Sequence, residues 1–356
     1  MKILYVINRS TDGGLVTTTR SRIQAFKKNG IEAEVAFLSR GDGADMFKEI
    51  NHYYIMNIAH FQQMILKGNY HCIIFVYSLD YRKYVPNDYK GKIIYELRGW
   101  SSGVIRQLTK RNVNKSVDGI VCIANYIKPL VRKYFNNRIP IFVDGNTVNP
   151  IFQYVPNSER KKFKVEGQVK EKPIIAFVGR VEAQKNWKEF LKICKNLSLK
   201  MPIDIWFITN PKTSNSFNQM LHQCAVYRLN PSVYHVSNDK MPEVYSRIAG
   251  SGGCVLSTSI REGLGNSILE PMACLCPVVS SNKPGKNEII SHEQNGMLYQ
   301  LGNIQQAATY IEKVCKDSSF RETLIKNGLA TIQNHYNQDV YVKRYLNILA
   351  EKRHFQ

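Results

Sequence analysis

A chain of 356 residues is long enough for two domains of ordinary size, each with its own core, and 44% apolar residues suit a globular protein. No apolar run approaches the roughly 20 residues needed to cross a bilayer. The start, Met1 to Asn8, is too short and strand-like for a signal peptide, so a cytoplasmic location is expected, with the inner membrane face as a second site. The net charge is +21, and it is unevenly divided: residues 1–170 hold 27 Lys and Arg against 13 Asp and Glu, a net of +14, and the rest hold 22 against 15, a net of +7. Such an excess can serve an anionic membrane, an acidic substrate, nucleic acid or solubility alone.

In chain order, Lys2–Ile7 is an apolar strand, Asn8 to Gly14 a loop, and the next stretch a helix ending at Asn29-Gly30 before a strand at Glu34–Leu38. This is a βαβ unit. Further strands are expected at His71–Tyr77, Lys92–Leu97, Gly119–Ile123 and Pro140–Val143. The polar segment Asn157–Lys172 reads as the linker, which gives domains 1–165 and 166–335. Residues 174–179 open a second βαβ unit, with a helix near Trp187–Leu197 and a strand at Ile203–Thr209. Gly253–Ser257 and Pro277–Ser281 supply two more strands, and the periodic apolar residues Val340, Tyr341, Tyr345 and Leu349 predict a final helix within 336–356. Two such starts imply two doubly wound α/β domains.

The densest chemistry lies in Arg261-Glu262-Gly263-Leu264-Gly265-Asn266-Ser267-Ile268-Leu269-Glu270. Gly263 and Gly265 are expected to permit unusual backbone geometry, and Asn266 or Ser267 to cap a helix whose first-turn amides attract phosphate. The two carboxylates can accept hydrogen bonds from sugar hydroxyls. Ser267-x-x-Glu270 is equally a capping box, in which Glu270 would only return a bond to the helix start. Gly179-Arg180-Val181-Glu182-Ala183-Gln184-Lys185 follows a buried strand, at the sheet edge where open α/β folds bind ligands, and Arg180 with Lys185 could clamp a diphosphate there.

Other patterns are weaker. Gly13-Gly14 lacks the full Gly-x-Gly-x-x-Gly spacing of a dinucleotide site. Gly99-Trp100-Ser101-Ser102-Gly103 matches a hydrolase nucleophile elbow, with Asp204 and His235 as its conceivable partners, but that reading leaves Arg180, Lys185 and both glutamates without a role. Arg106, Lys110 and Arg111 share one face of a helix expected over Ile105–Ser116, and Lys128, Arg132 and Lys133 repeat the theme, which suits peripheral contact with an anionic membrane. Nucleic-acid recognition would want interleaved aromatics or a known module, and neither is present. Cys72, Cys122, Cys194, Cys254 and Cys315 read as reduced core residues, and Cys274-x-Cys276 lacks the second pair or nearby His of a zinc site. No Asp-x-Asp pair is present to bridge a diphosphate through a metal, so no metal and no cofactor beyond the nucleotide substrate is expected.

With these residues in place, the chain resembles the retaining glycosyltransferases of the GT-B fold, of the family 4 type (glycosyl transferases group 1). The resemblance rests on Phe177-Val178-Gly179-Arg180 with Lys185-Asn186, on Glu262 with seven residues before Glu270, and on Pro277-Val278-Val279-Ser280-Ser281 with Asn295-Gly296. It implies two Rossmann-like domains facing each other across a cleft, the first binding the acceptor and the second a nucleotide sugar, with the last helix crossing back. It implies that Arg180 and Lys185 contact the diphosphate, Glu262 the transferred sugar and Glu270 the ribose. Gly265, Asn266, Ser267 and Ile268 would offer backbone groups to the sugar and phosphates, Val236 would lie by the base, and Gly14 would approach from the first domain. Relatives often carry a His after the strand at Ile93–Leu97; here Arg98 stands there and is the candidate acceptor or donor-sugar contact. Pro271 replaces a small residue, and a slightly later helix start is expected.

The primary expectation is therefore a retaining hexosyl transfer from a UDP-sugar to a saccharide or lipid-linked hydroxyl in envelope polysaccharide synthesis. The alternatives are a nucleotide-sugar epimerase of the same fold and a basic nucleic-acid or membrane binding protein.

Overall fold

In a parallel sheet covered on both faces a strand is buried on each side, and so Cys72–Val76 and Ile174–Val178 are nearly unbroken apolar runs instead of alternating ones. The computed structural model describes residues 1–10, 13–109, 117–134, 139–163 and 172–351. Two compact units divide the chain: Met1–Thr147 with Asn337–Gln356, and Val148–Tyr336.

The first unit is built on β1 (Lys2–Arg9), β2 (Glu32–Ser39), β3 (His52–Tyr54), β4 (Cys72–Val76), β5 (Lys92–Leu97), β6 (Gly119–Cys122) and β7 (Ile141–Val143). The sheet order is β3-β2-β1-β4-β5-β6-β7, and every pairing is parallel. Between the strands run α1 (Gly14–Lys28), α2 (Ile58–Gly68), α3 (Ser102–Leu108) and α4 (Ile127–Arg132). Helix α1 ends as its sequence suggests, with Lys27 and Lys28 in the last turn and Gly30 at φ +72 just beyond. The final helix, α11 (Gln338–Ala350), belongs to this unit because Tyr341 and Tyr345 each meet Phe26 of α1 edge-on at 5.6 Å. Asn337 caps it by accepting the Val340 N–H.

The second unit contains β8 (Ile174–Val178), β9 (Asp204–Ile208), β10 (Ser232–Tyr234), β11 (Cys254–Ser257), β12 (Val278–Ser281) and β13 (Met297–Tyr299), in the order β10-β9-β8-β11-β12-β13, again wholly parallel. Its helices are α5 (Trp187–Ser198), α6 (Phe217–Tyr227), α7 (Met241–Gly250), α8 (Asn266–Ala273), α9 (Ile304–Lys316) and α10 (Ser318–Thr331). Helix α5 turns Trp187, Phe190, Leu191, Cys194 and Leu197 into the core, the three- and four-residue spacing of one helical face.

The expected boundary at 165 falls inside the second unit, which begins at Val148. The polarity of the segment hid its anchoring. Val155 N–H bonds Ser246 Oγ at 2.8 Å, the Arg160 guanidinium reaches Ser246 O at 3.1 Å, and the amides of Lys161 and Lys162 both donate to Glu243. The strands β3, β10 and β13 are additions to the expected set; each has three residues, as does the expected β7, and β3 and β10 are only partly buried or exposed and make no apolar run. Helix α3 stops at Leu108; Lys110, Arg111 and the remainder of the expected basic helix to Ser116 lie outside the described residues. Arg106, Lys128 and Lys133 are exposed. No helix among the described residues is long and apolar enough to cross a membrane.

Candidate active site

In a doubly wound sheet, the loops after the two strands that flank the reversal of strand order leave a crevice at the carboxyl edge. In the second unit these strands are β8 and β11. The loop after β8 carries Gly179 to Lys185, and the loop after β11 carries Thr258 to Gly265. Four hydrogen bonds stitch the loops together. Ile260 N–H donates to Gln184 O, Gln184 Nε2 to Arg261 O, and the Thr258 hydroxyl spans Lys185 O and Asn186 O.

The stitching brings Lys185 Nζ within 2.6 Å of Glu262 Oε1. Gly179 makes room for it: at φ +124 its position suits only glycine, and a Cβ there would stand 3.2 Å from Lys185 Cε. Both side chains of the pair are partly open, 19% exposed for Lys185 and 13% for Glu262. Burial pushes the Glu262 carboxyl up, but the charge and hydrogen bond of Lys185, a hydrogen bond from Ser259 and the charge of Lys286 outweigh it and hold the group below the usual carboxylate range. Glu262 is therefore an ionised acceptor. Arg180 projects from the same loop, 62% exposed, and pairs loosely with Glu182 at 3.3 Å.

Helix α8 settles the alternative reading of Glu270. Its N-cap is Gly265, with no side-chain cap, so neither Asn266 nor Ser267 caps it and the Ser267–Glu270 capping box does not form. Glu270 instead accepts a hydrogen bond from Tyr245 of α7 at 3.1 Å, and burial pushes its carboxyl up to about 8. The helix starts at Asn266, not later. Pro271 lies in its interior, where the missing N–H removes a bond to the preceding turn without displacing the start. Neither Gly263 nor Gly265 takes a positive φ; the glycine that does is Gly285, pressed against this loop. Asn266 and Ser267 stand half-buried in the first turn, and Ile268 turns its side chain wholly into the core, which leaves only its backbone available to a ligand. Val236 follows β10 at the same carboxyl edge, half-buried.

Residues 158–331 match the model of the family described as glycosyl transferases group 1. The second domain belongs to this family. An uncharacterised glycosyltransferase of Methanocaldococcus jannaschii is 23% identical over 235 residues, 64% of this chain and 59% of that protein. The capsular polysaccharide biosynthesis glycosyltransferase CapM of Staphylococcus aureus is 25% identical over 169 residues, 47% of this chain and 43% of that protein. The chain thus spans about three-fifths or less of these relatives. Among solved structures, Anabaena HepE in complex with UDP and glucose superposes with a TM-score of 0.81 at 15% identity, over 98% of this chain and 99% of that one. TarM superposes with a TM-score of 0.76 at 12% identity, over 99% of both chains. The two Rossmann-like domains are those of the GT-B fold.

Within the group 1 domain, four contributors to the site carry no sequence signal: Tyr245, Ser259, Gly285 and Lys286. Tyr245 sits in an ordinary helical pattern, and Lys286 lies in a polar run that reads as a solvated loop although the residue is fully buried.

The first domain places its expected contacts separately. Gly14 is exposed at the start of α1, and a Cβ at Gly13 or Gly14 would meet nothing within 4 Å among the described residues, so no packing among them demands glycine there. Arg98 follows β5 but is only 7% exposed. Its Nη2 donates to Glu96 Oε2 at 2.6 Å, and Glu96 also pairs with Arg22. Arg22 in turn donates to Gly145 O at 2.9 Å and lies over the Tyr341 ring.

The nucleophile elbow fails on geometry. Ser101 is the N-cap of α3, accepting the Val104 N–H at 3.3 Å, while Asp204 opens β9 and His235 follows β10, which puts its proposed partners at opposite ends of two neighbouring parallel strands. All eight cysteines are unpaired and seven are buried, and no cluster of potential metal ligands occurs among the described residues.

Proposed function

We propose that the protein is a retaining glycosyltransferase that moves a hexosyl unit from a UDP-sugar to a hydroxyl of a saccharide or lipid-linked acceptor in envelope polysaccharide synthesis. The observation that carries this reading is the Lys185–Glu262 pair at the switch point, with Glu270 one helical turn into α8. A cation beside an ionised acceptor, next to a helix start, offers one group for a diphosphate and another for sugar hydroxyls. The complexes of HepE with UDP and with UDP-glucose support the choice of base, and the part of CapM in capsular polysaccharide biosynthesis supports the class of product.

In this reading the donor's diphosphate draws Lys185 from Glu262 and gains Arg180 from the loop rim. The sugar hydroxyls take Lys185's place on Glu262. Glu270 accepts from the ribose, Val236 packs by the base, and the backbone of Gly265 to Ile268 faces the sugar and phosphates. The acceptor oxygen attacks the anomeric carbon on the face the diphosphate leaves, the glycosidic bond forms as the C–O bond to phosphate breaks, and the acceptor proton passes to the departing phosphate oxygen. No enzymic nucleophile is used. Charge developing on that oxygen is met by Lys185, Arg180 and the α8 amides, so no metal is needed. The surplus charge of the first half suits reversible contact with an anionic membrane surface.

The test is transfer from UDP-glucose and related donors to a panel of saccharides, with Arg180→Ala and Lys185→Ala in parallel. Both variants should lose most of their turnover; unchanged transfer by both overturns the assignment. A new sugar isomer formed without acceptor would point to an epimerase instead.

A further inference from the structure

The loop that carries Glu262 rests on a lysine with no access to solvent. Lys286 Nζ donates to Ser259 O at 2.8 Å, Ser257 O at 3.3 Å and Ser281 Oγ at 2.7 Å. Ser281 gives its own hydroxyl proton to Ser259 O at 2.9 Å, so its oxygen meets the ammonium as an acceptor. An ammonium has three donors and no acceptor, and three oxygens face it here. They belong to the end of β11, the loop beyond it and the end of β12.

The neighbouring glycine touches the other end of the same loop. Gly285 has φ +87, and a Cβ on it would stand 2.1 Å from Gly263 O and 3.1 Å from Glu262 O. Residues 285–286 therefore hold the Glu262 loop at its start, through Ser257 and Ser259, and beyond Glu262, through Gly263. Burying a charged lysine whole is costly, and an apolar side chain would fill the space without that penalty. Maintaining the charge makes sense if it holds the loop's carbonyls in a fixed arrangement.

We propose that Lys286, seated beside Gly285, is a positioning residue for the donor sugar, fixing the Ser257–Gly263 loop so that Glu262 is held where the sugar can replace Lys185 on it. The assignment of the sugar to this loop rests on the proposed function; the support of the loop by Lys286 does not. Burial pulls the ammonium down to about 7, against the charges of Glu262 and Glu189 and aided by those of Lys185 and Lys283. A neutral amine has one N–H fewer and can make only two of the three bonds, so the loop is held most firmly below that pH.

Lys286→Met, in the full chain, removes all three bonds at similar side-chain length. Two readouts are taken. Without ligand, amide hydrogen exchange in residues 257–263 should quicken while β8 and β9 keep their protection. With ligand, affinity for UDP should hold while the preference for UDP-glucose over UDP falls several-fold, and kcat should drop about a hundredfold, the scale of a small misplacement at a reacting centre. A merely structural lysine would lower the active fraction without moving the UDP-glucose to UDP ratio. If Lys286→Met does not fold, Ser281→Ala, which removes one acceptor, and Gly285→Ala, which pushes the loop from its other end, should shift the same ratio. Wild-type exchange and an unchanged ratio overturn the proposal. A wild type that binds neither UDP nor UDP-glucose overturns the functional reading, and the exchange experiment still decides the role of Lys286.

Discussion

The two sheets share one strand order, counted from each unit's own first strand, with β7 as an extra strand in the first. Their charges are used in opposite ways. In the first unit Arg22 from α1, Glu96 from β5 and Arg98 just beyond β5 form a sealed network: the Arg22 side chain is 0% exposed, Glu96 1% and Arg98 4%. In the second unit Lys185 and Glu262 sit on loops and stay partly open. A buried pair is locked by the cost of separating it, whereas a half-open pair can exchange its partner for a ligand. The same wiring therefore carries a closed charge network in one sheet and an open, exchangeable pair in the other, which is why fold alone does not assign function.

The contrast breaks most readily at Glu96. Glu96→Ala leaves two buried guanidinium groups without their carboxylate and should cost about 3–5 kcal/mol of stability, read as a lowered unfolding midpoint. A change too small to measure would mean that the first network is not locked. Lys185→Ala should do the reverse: turnover falls by about a hundred- to a thousandfold, the scale for losing one preorganised group that meets developing charge, while calorimetry finds stability little changed. Comparable losses of stability in both variants would erase the distinction between the two edges.

A finer test uses pH. Glu270 has its folded pKa raised to about 8 from 4.5, so the stability it contributes is full below about 4.5 and lost as pH rises through about 8. Binding to the ionised carboxylate runs the other way. Affinity for UDP-glucose should rise in wild type relative to Glu270→Gln between pH 6 and 8.5, by roughly seventyfold, because the ionised fraction grows about tenfold per unit below the pKa and levels off above it. Lys286 titrates in both proteins and cancels in the ratio; a ratio flat with pH would remove Glu270 from the ribose. The smallest effect belongs to Ser101→Ala, which should cost about 1 kcal/mol through the lost cap of α3 and leave turnover intact. Abolished turnover would restore the nucleophile reading.

Much of the fold was legible from the chain. Buried parallel strands advertise themselves as apolar runs, so most strands of four or more residues fell where the pattern put them, and the glycines after β1 and β8 marked the turns into the first helices. The pieces that escaped were the short strands β3, β10 and β13 and the segment from Val148 to Phe163, whose attachment to Glu243 and Ser246 depends on residues some eighty to ninety positions away. In the site, Arg180, Lys185 and Glu262 were visible because a charged group after an apolar strand at a sheet edge is a local signal, and Glu270 was visible only through its spacing from Glu262.

By itself, the sequence determined two doubly wound domains and placed Arg180, Lys185 and Glu262 beyond strand ends in the second, since hydrophobic period and strand-end position are properties of neighbours in the chain. Only the tertiary structure decided their partners. Glu270 could have closed a capping box three residues away, but it bonds Tyr245; Lys286 reads as a solvated loop residue, but it lies in a cage of oxygens; Arg98 reads as an open contact, but it is folded onto Glu96. Each choice turns on desolvation and on which distant oxygen comes within about 3 Å, and those quantities exist only once the chain has folded.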